Sequence, residues 1–396
     1  MLEILSIIVA IALAIFVGFY LAYYAICLRY SRASPSRENS HLEKSELPVV
    51  SIIIPVYNEA NVLPRRIRSL EELLYPRDKL EIVFVDGGST DGGIGLLEEL
   101  AGKSSLPVKV VFQGSRKGFN SAVRDGFFQT KGDIVCITGA ETEYEPRALD
   151  VMVRHFADLG IGAVTGRQMI RNVGDGYSPK LEIAYRGLYD LVRAAESRID
   201  SPFDIKGEIS AARRSIVQRL VENPELLHKG CIDACLSFQG RMDGYKTVYE
   251  PSAIYYELSP RLFRESFKQH VRRAATLIEN MLVFKGMMLK RKFGAFGMLI
   301  MPAHFLMLLC LPYLFLFGSV GLLALTVLDL SNYLLLTLVV VGLLAMLLSR
   351  SVQAFIKTQI ALVVAGLKLM RGVETQRFER LQSARPEGVK TIESRK

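Results

Sequence analysis

Tryptophan is absent from this chain of 396 residues, and cysteine occurs only five times. Five cysteines in a chain whose soluble part is expected to face the cytoplasm suggest free thiols, not a disulfide framework, and the loose spacing of His228, Cys231 and Cys235, with no Cys-x-x-Cys pair, reads as small residues packing beside a turn, not a zinc site. No basic cluster is interleaved with aromatics, which removes nucleic acid as the partner for a net charge of +9. The most informative absence is of charge itself, since none lies between Ile4 and Leu28. About 25 such residues, rising about 1.5 Å each, cross a hydrocarbon core about 30 Å thick. A cleaved leader carries a shorter apolar run of about 7 to 15 residues behind a basic start. Here Glu3 comes first and Arg29, Arg32 and Arg37 follow, so residues 1–30 read as an amino-terminal transmembrane anchor.

Hydrophobic residues make up 50% of the chain, and the excess sits at its two ends. From Arg261 onward, Leu262, Phe263, Phe267, Val271, Ala274, Ile278 and Met281 recur at helical spacing with Arg264, Lys268, Arg272 and Arg273 between them. That pattern predicts interfacial amphipathic helices over 261–293, lying against membrane lipid. A carboxy-terminal transmembrane region follows over 294–370, with spans at Phe296 to Phe317 and about Tyr333 to Leu348. Lys357 and Gln359 interrupt 352–369, and charge parity argues that this stretch lies in the interface or re-enters, because a fourth full span would put the basic tail outside. Basic residues flanking spans stay inside, so the positions of Arg29, Arg32, Arg37, Lys290, Arg291 and Lys292 predict a multi-pass protein of the cell membrane. Its soluble domain and the basic tail 371–396 are then cytoplasmic.

Between the ends, a polar linker over 31–47 leads into 48–260, where buried strands and helices alternate. Strands are predicted at Val49 to Ile54, Ile82 to Val85, Val108 to Phe112, Ile134 to Thr138 and 161–167, and helices at Glu59 to Leu74, Gly92 to Leu100 and Pro146 to Leu159. This is an α/β alternation that builds a parallel sheet with helices on both faces. Farther on, Gly207 marks a close turn before a helix led by Ala211 to Arg214, and Asp233 lies near a helix start with Leu236 and Phe238 as core candidates. The Ile82 to Val85 strand stops at Asp86-Gly87-Gly88-Ser89, with Asp91 beyond. Ligands of open parallel sheets bind at such carboxyl ends, and Ser89 and Asp91 are suited to cap the next helix. The same residues also make an ordinary Asp-Gly turn.

Several motifs in order now resemble those of membrane-bound family 2 glycosyltransferases, relatives of polyprenyl-phosphate sugar synthases and of cellulose and hyaluronan synthases. They are Pro55-Val56-Tyr57-Asn58-Glu59, Val85 to Gly92, Arg116-Lys117-Gly118-Phe119-Asn120-Ser121-Ala122, Gly132-Asp133-Ile134-Val135, Gly207 to Arg214, Asp233, and Gln269-His270-Val271-Arg272. The resemblance implies a GT-A, Rossmann-like domain that binds a nucleotide sugar, with transmembrane helices at both ends. It places Pro55, Tyr57, Glu59, Asp86, Gly88 and Ser89 at the donor, with Lys117 on its diphosphate. Asp233 takes the position of the catalytic Asp, and Gln269, Arg272 and Arg273 border the acceptor and diphosphate. The usual Asp-x-Asp metal motif stands here as Gly139-Ala140-Glu141, followed by Thr142-Glu143. Hard Mg²⁺ or Mn²⁺ takes oxygen ligands, so Glu141 and Glu143, on one side of an extended loop, are the metal candidates.

What the resemblance implies is an inverting, metal-dependent transfer of a hexose from a nucleotide-sugar donor, such as GDP-mannose or a UDP-sugar, to a lipid-linked or membrane-proximal glycan acceptor. A polyprenyl-phosphate sugar synthase, a processive polysaccharide synthase and a catalytically inactive binding protein are the alternatives. Arg273 occupies the place of the family's acceptor-holding Trp, and the few spans leave little material for a polymer channel, which puts processive synthesis in doubt.

Overall fold

A computed structural model describes residues 2–31, 47–329 and 331–372. Most of the linker expected at 31–47, with Arg32 and Arg37, and nearly all of the tail at 371–396 lie outside them. In chain order the chain forms α1 (Leu2–Ser31), β1 (Val50–Val56), α2 (Leu63–Glu71), β2 (Leu80–Asp86), α3 (Gly93–Lys103), β3 (Val108–Phe112) and α4 (Phe119–Phe127). Next come β4 (Ile134–Ile137), β5 (Glu143–Tyr144), α5 (Ala148–Arg154), β6 (Ile161–Ile170), α6 (Tyr177–Ile199), β7 (Ser210–Arg213), α7 (Arg214–Val221), α8 (Leu236–Met242) and β8 (Lys246–Glu257). The last helices are α9 (Phe263–Val283), α10 (Phe296–Leu328), α11 (Tyr333–Leu348) and α12 (Arg350–Met370).

The described residues divide into two compact units, one built from 47–172 and 205–262 and the other from 2–31, 173–204, 263–329 and 331–372. The first holds an eight-stranded sheet in the order β3-β2-β1-β4-β7-β6-β8-β5. Strands β3, β2, β1 and β4 are parallel, as their continuous apolar runs predict. Ile52, Ile54, Ile82 and Phe84 are fully buried on one face against Leu63, Ile67 and Leu70 of α2. Burying each such side chain stabilises the fold by about 1.5–3 kcal/mol. Pro64 sits in the first turn of α2, where no intrahelical N–H is needed.

Beyond β4 the sheet departs from the expected parallel pattern. Ala211 to Arg213 do not lead a helix but belong to β7, which runs antiparallel between β4 and β6. Ser210, Ala211 and Ala212 are wholly buried there, so sheet packing overrides alanine's helical preference. Strand β8 was not foreseen, since Pro251 and Ser252 interrupt its pattern. Its parallel pairing with β6 is broken by two register shifts, between Ile161 and Ala163 and between Thr165 and Arg167, the second opposite Pro251 and Ser252.

In the second unit, α1, α10 and α12 are long and apolar enough to cross a membrane, by length and composition. The stretch 352–369, expected above to be interfacial or re-entrant, thus lies in one of these three candidate spans. Helix α11, expected as a span, has 16 residues, fewer than the roughly 20 that a span requires. Helix α10 widens into π-turns at Phe296–Ile300 and Leu306–Cys310, immediately before the turns containing Pro302 and Pro312, which remove helical hydrogen bonds. Glu196 on α6, 1% exposed, accepts bonds from Tyr23 Oη at 2.5 Å and Phe203 N at 2.8 Å and lies 2.6 Å from His304 Nε2, joining α1, α6 and α10.

Candidate active site

In the sheet unit, the loops after β1, β2 and β3 are laced together at the carboxyl ends of the strands. Asp86, 2% exposed, ends β2, and its Oδ2 accepts from Gly88 N at 2.8 Å and Ser89 N at 3.1 Å. Gly88 has φ +83°, and a β-carbon there would lie 3.1 Å from Ser115 Cα, so only glycine suits the turn. Ser89 Oγ accepts from Asn58 N at 2.8 Å, Asn58 Oδ1 from Thr90 N at 2.7 Å, and Asp91 Oδ2 from Ala60 N at 3.1 Å. Ser89 therefore grips the β1 loop instead of capping α3, and Asp91 holds both Ala60 and Gly93 N. The residue before α3, Gly92, is left-handed and offers no side-chain cap. The Arg116 guanidinium lies 4.3 Å from the centre of the Tyr57 ring. Pro55 lies within β1, half-buried Glu59 in the loop after it, and Lys117 is exposed just before α4.

The second group follows β4. Glu141 is exposed, whereas Thr142 is wholly buried. Glu143, expected beside Glu141 on one ion, is placed between two arginines, Arg65 at 3.3 Å and Arg171 at 2.7 Å. Sequence reading missed the residue that holds this loop. Arg66 of α2, 0% exposed, donates from Nη1 to Thr142 O at 2.7 Å and from Nη2 to Thr138 Oγ1 at 3.2 Å. No signal marks it, because a charged residue in a helical pattern is ordinarily assigned to the exposed face.

Asp233 forms the third group, in a short 3-10 turn before α8, and its Oδ1 accepts from Ala234 N at 2.8 Å. Gly207 packs so closely that a β-carbon on it would lie 1.8 Å from Asp233 Oδ2. The next carbonyl, Glu208 O, accepts from Thr138 Oγ1 at 2.9 Å and Tyr144 Oη at 3.0 Å, which ties the Asp233 neighbourhood to the Glu141 loop. Buried Asn120 anchors the preceding segment, donating to Leu226 O and Gly230 O and accepting from Ile232 N at 3.1 Å. As expected, Leu236 and Phe238 are core residues, and Cys231 and Cys235 are buried. Burial, and then the nearby Asp233 charge, push the Cys235 thiol well up, which keeps it protonated and inert.

Gln269, Arg272 and Arg273 belong to the other unit, on α9. Gln269 is buried, and Arg273 Nη1 lies 3.5 Å from Glu182 Oε1, which also pairs with Arg186 at 2.6 Å. Burial pushes the Glu182 carboxyl up, but Arg186 and Arg273 outweigh it and hold the group well below the usual range. Burial lowers neighbouring His270 to about 4. The residue in the place of the missing Trp is thus part of a buried ionic cluster that sequence spacing did not reveal.

As to metal, no group of three or more His, Cys, Asp or Glu side chains converges among the described residues. Glu141 offers one exposed carboxylate at a strand end. That suits a hard divalent ion held by one or two carboxylates, with donor phosphates and water supplying the other oxygens.

The sheet, with its switch of strand order at β1 and its loops at the carboxyl ends, has the architecture of a GT-A domain. The fold is that of the mannosyltransferase PcManGT from Pyrobaculum calidifontis, solved with GDP-Man and Mn²⁺, at TM-score 0.80 and 24% identity over 93% of this chain and 100% of that one. Residues 51–221 match the family described as Glycosyl transferase family 2. The chain is 28% identical over 236 residues to the probable glycosyltransferase YdaM of Bacillus subtilis, covering 57% of this chain and 54% of that protein. It is 25% identical over 258 residues to the poly-beta-1,6-N-acetyl-D-glucosamine synthase of Staphylococcus aureus, covering 65% and 60%. The chain therefore spans a little over half the length of these curated relatives.

Proposed function

We propose that the chain transfers one hexose, with inversion, from a nucleotide-sugar donor to a lipid-linked or membrane-proximal acceptor at the cytoplasmic face. The observation that carries this reading is the union of a candidate base with a candidate diphosphate loop. Gly207-Glu208 packs against Asp233 on one side and bonds to Thr138 and Tyr144, at either end of the Glu141 loop, on the other. Both the family model that the domain matches and its fold support a nucleotide sugar as donor.

In this reading Asp233 takes the proton from the acceptor hydroxyl as its oxygen bonds to the anomeric carbon from the face opposite the diphosphate. The bond from that carbon to the phosphate oxygen breaks in the same displacement, and the nucleoside diphosphate leaves. Lys117 meets the charge that builds on the leaving group, and the Asp86 turn with Tyr57 and Glu59 seats the nucleoside. Glu141 would hold Mg²⁺ or Mn²⁺, which when bound supplies further neutralisation of the diphosphate. Glu143, already between Arg65 and Arg171, is left out of that ligand set. The candidate spans α1, α10 and α12 support an acceptor presented at the membrane.

The test is nucleoside diphosphate release by the detergent-purified full chain, given GDP-mannose and UDP-sugars with Mn²⁺ or Mg²⁺. Asp233→Asn is expected to lower turnover by about 10² to 10⁴ while donor binding survives. Near-normal turnover in that variant removes Asp233 as the base.

A further inference from the structure

We propose that Arg66 is a positioning residue of this reaction, holding the Gly139–Glu141 loop in its ion- and diphosphate-binding shape and coupling it to Asp233. This rests on the reading of Glu141 given above. The two groups that Arg66 grips, Thr138 Oγ1 and Thr142 O, belong to the residues immediately flanking Gly139-Ala140-Glu141. One planar guanidinium therefore fixes both ends of the tripeptide at once, a fork that a lysine ammonium does not reproduce. Its carbon lies 4.8 Å from the centre of the Tyr144 ring, and Tyr144 closes the loop on the far side. Thr138 Oγ1 and Tyr144 Oη then both donate to Glu208 O, beside the glycine that packs on Asp233.

Core filling alone does not account for this side chain. Leu63, Ile67 and Leu70 on the same helix are buried hydrophobes, and Arg66 is the charged exception at 0% exposure. Among the described residues Arg66 makes no close salt bridge, and the favourable influence of Tyr144 and Glu143 offsets its burial only in part. An apolar side chain of similar length would fill the space without desolvating a charge. What arginine adds is the placement of the loop. Groups that orient a metal-binding segment without touching the ion alter metal affinity by about 10- to 100-fold when removed.

The experiment compares the full-length wild type with Arg66→Met, Arg66→Lys and Glu141→Ala. Mn²⁺ is titrated by electron paramagnetic resonance in the presence of GDP or UDP, whichever the wild type binds. Nucleotide affinity without metal and hydrogen exchange over 139–142 are measured alongside. Arg66→Met should weaken Mn²⁺ about 10- to 100-fold and speed exchange in 139–142, while metal-free nucleotide affinity stays within about twofold. A purely structural defect would move nucleotide affinity as well. Arg66→Lys, which keeps the charge but not the fork, should fall between wild type and Arg66→Met. If Arg66→Met fails to fold, the lysine variant decides: weakened Mn²⁺ supports the proposal and wild-type affinity overturns it. Unchanged Mn²⁺ affinity in Arg66→Met overturns it in every case. Glu141→Ala then separates the causes, since lost affinity there leaves the metal reading standing and retained affinity shows that reading to have failed as well.

Discussion

The turn after β2 and the loop after β4 both follow parallel strands at their carboxyl ends, yet they are held in opposite ways. Asp86 bonds to the N–H groups two and three residues ahead of it, and Gly88 supplies the one backbone conformation the turn needs. The Gly139–Glu141 loop is held by a side chain 72 and 76 positions away. The first shape is written into adjacent residues. The second exists only once α2 has packed on the sheet. A substitution in α2 should therefore disturb the candidate metal loop and leave the nucleoside end of the site largely intact.

The largest expected effect tests the far end of that long-range network. Alanine at Gly207 places a methyl group where Asp233 Oδ2 now stands, at 1.8 Å, so the carboxylate or the backbone must move. Displacing a reacting group by about 1 Å lowers rates by about 10²-fold, and overpacking destabilises by about 1–3 kcal/mol. Nucleoside diphosphate release and the melting temperature of Gly207→Ala, measured together, read both. Wild-type turnover would mean that Asp233 is not held for chemistry at this glycine.

A smaller effect is expected at Asn120. Truncation to alanine leaves Leu226 O, Gly230 O and Ile232 N without their side-chain partner in a buried site, a loss of about 1–3 kcal/mol. Because this segment runs directly into Asp233, turnover at a temperature well below melting should fall while donor affinity holds. Asn120→Asp keeps the acceptor for Ile232 N but not the two donors, and should recover only part of the stability. Equal melting temperatures for wild type and Asn120→Ala would show that the segment is positioned by other contacts.

The same division explains what the amino-acid sequence discloses. Apolar runs announced β1 to β4, and the Asp-Gly-Gly-Ser sequence announced the turn after β2, because both are local patterns. The Ser210–Arg213 strand was hidden by alanines whose local preference is helical, and β8 by a Pro-Ser interruption that the sheet absorbs as a register shift. Asp91 accepts from Gly93 N at the start of α3, as its composition suggests, but Ser89 is spent on Asn58 and Asp91 also on Ala60, partners 31 positions away. Spacing alone puts Glu143 beside Glu141, whereas folding brings Arg65 and Arg171 to it. Arg66 is the extreme case, a charge whose burial no periodicity foretells.

The smallest expected effect sharpens the comparison by moving to the amino ends of the same strands. There Glu81 makes a long-range clamp of opposite charge, its Oε2 accepting from Ser51 Oγ at 2.6 Å, Lys131 N at 2.8 Å and Gly132 N at 3.0 Å. Partial burial pushes its pKa up, but the Ser51 hydroxyl and the two backbone N–H groups outweigh that and hold it below the ordinary value. A carboxyl whose pKa is lower folded than unfolded stabilises fully at neutral pH. That contribution fades as pH falls through the ordinary carboxylate range, about 4.3, toward the lower folded value. Unlike Arg66, Glu81 is only half-buried, so water screens the charge and the contribution is about 1 kcal/mol or less. Glu81→Gln should then melt slightly below wild type at pH 7, and the gap should close between about pH 5 and pH 3 as the wild-type carboxyl takes up its proton. A gap of the same size at both ends of that range would mean that shape, not charge, makes this clamp, and that the two ends of the sheet are held by the same kind of contact after all.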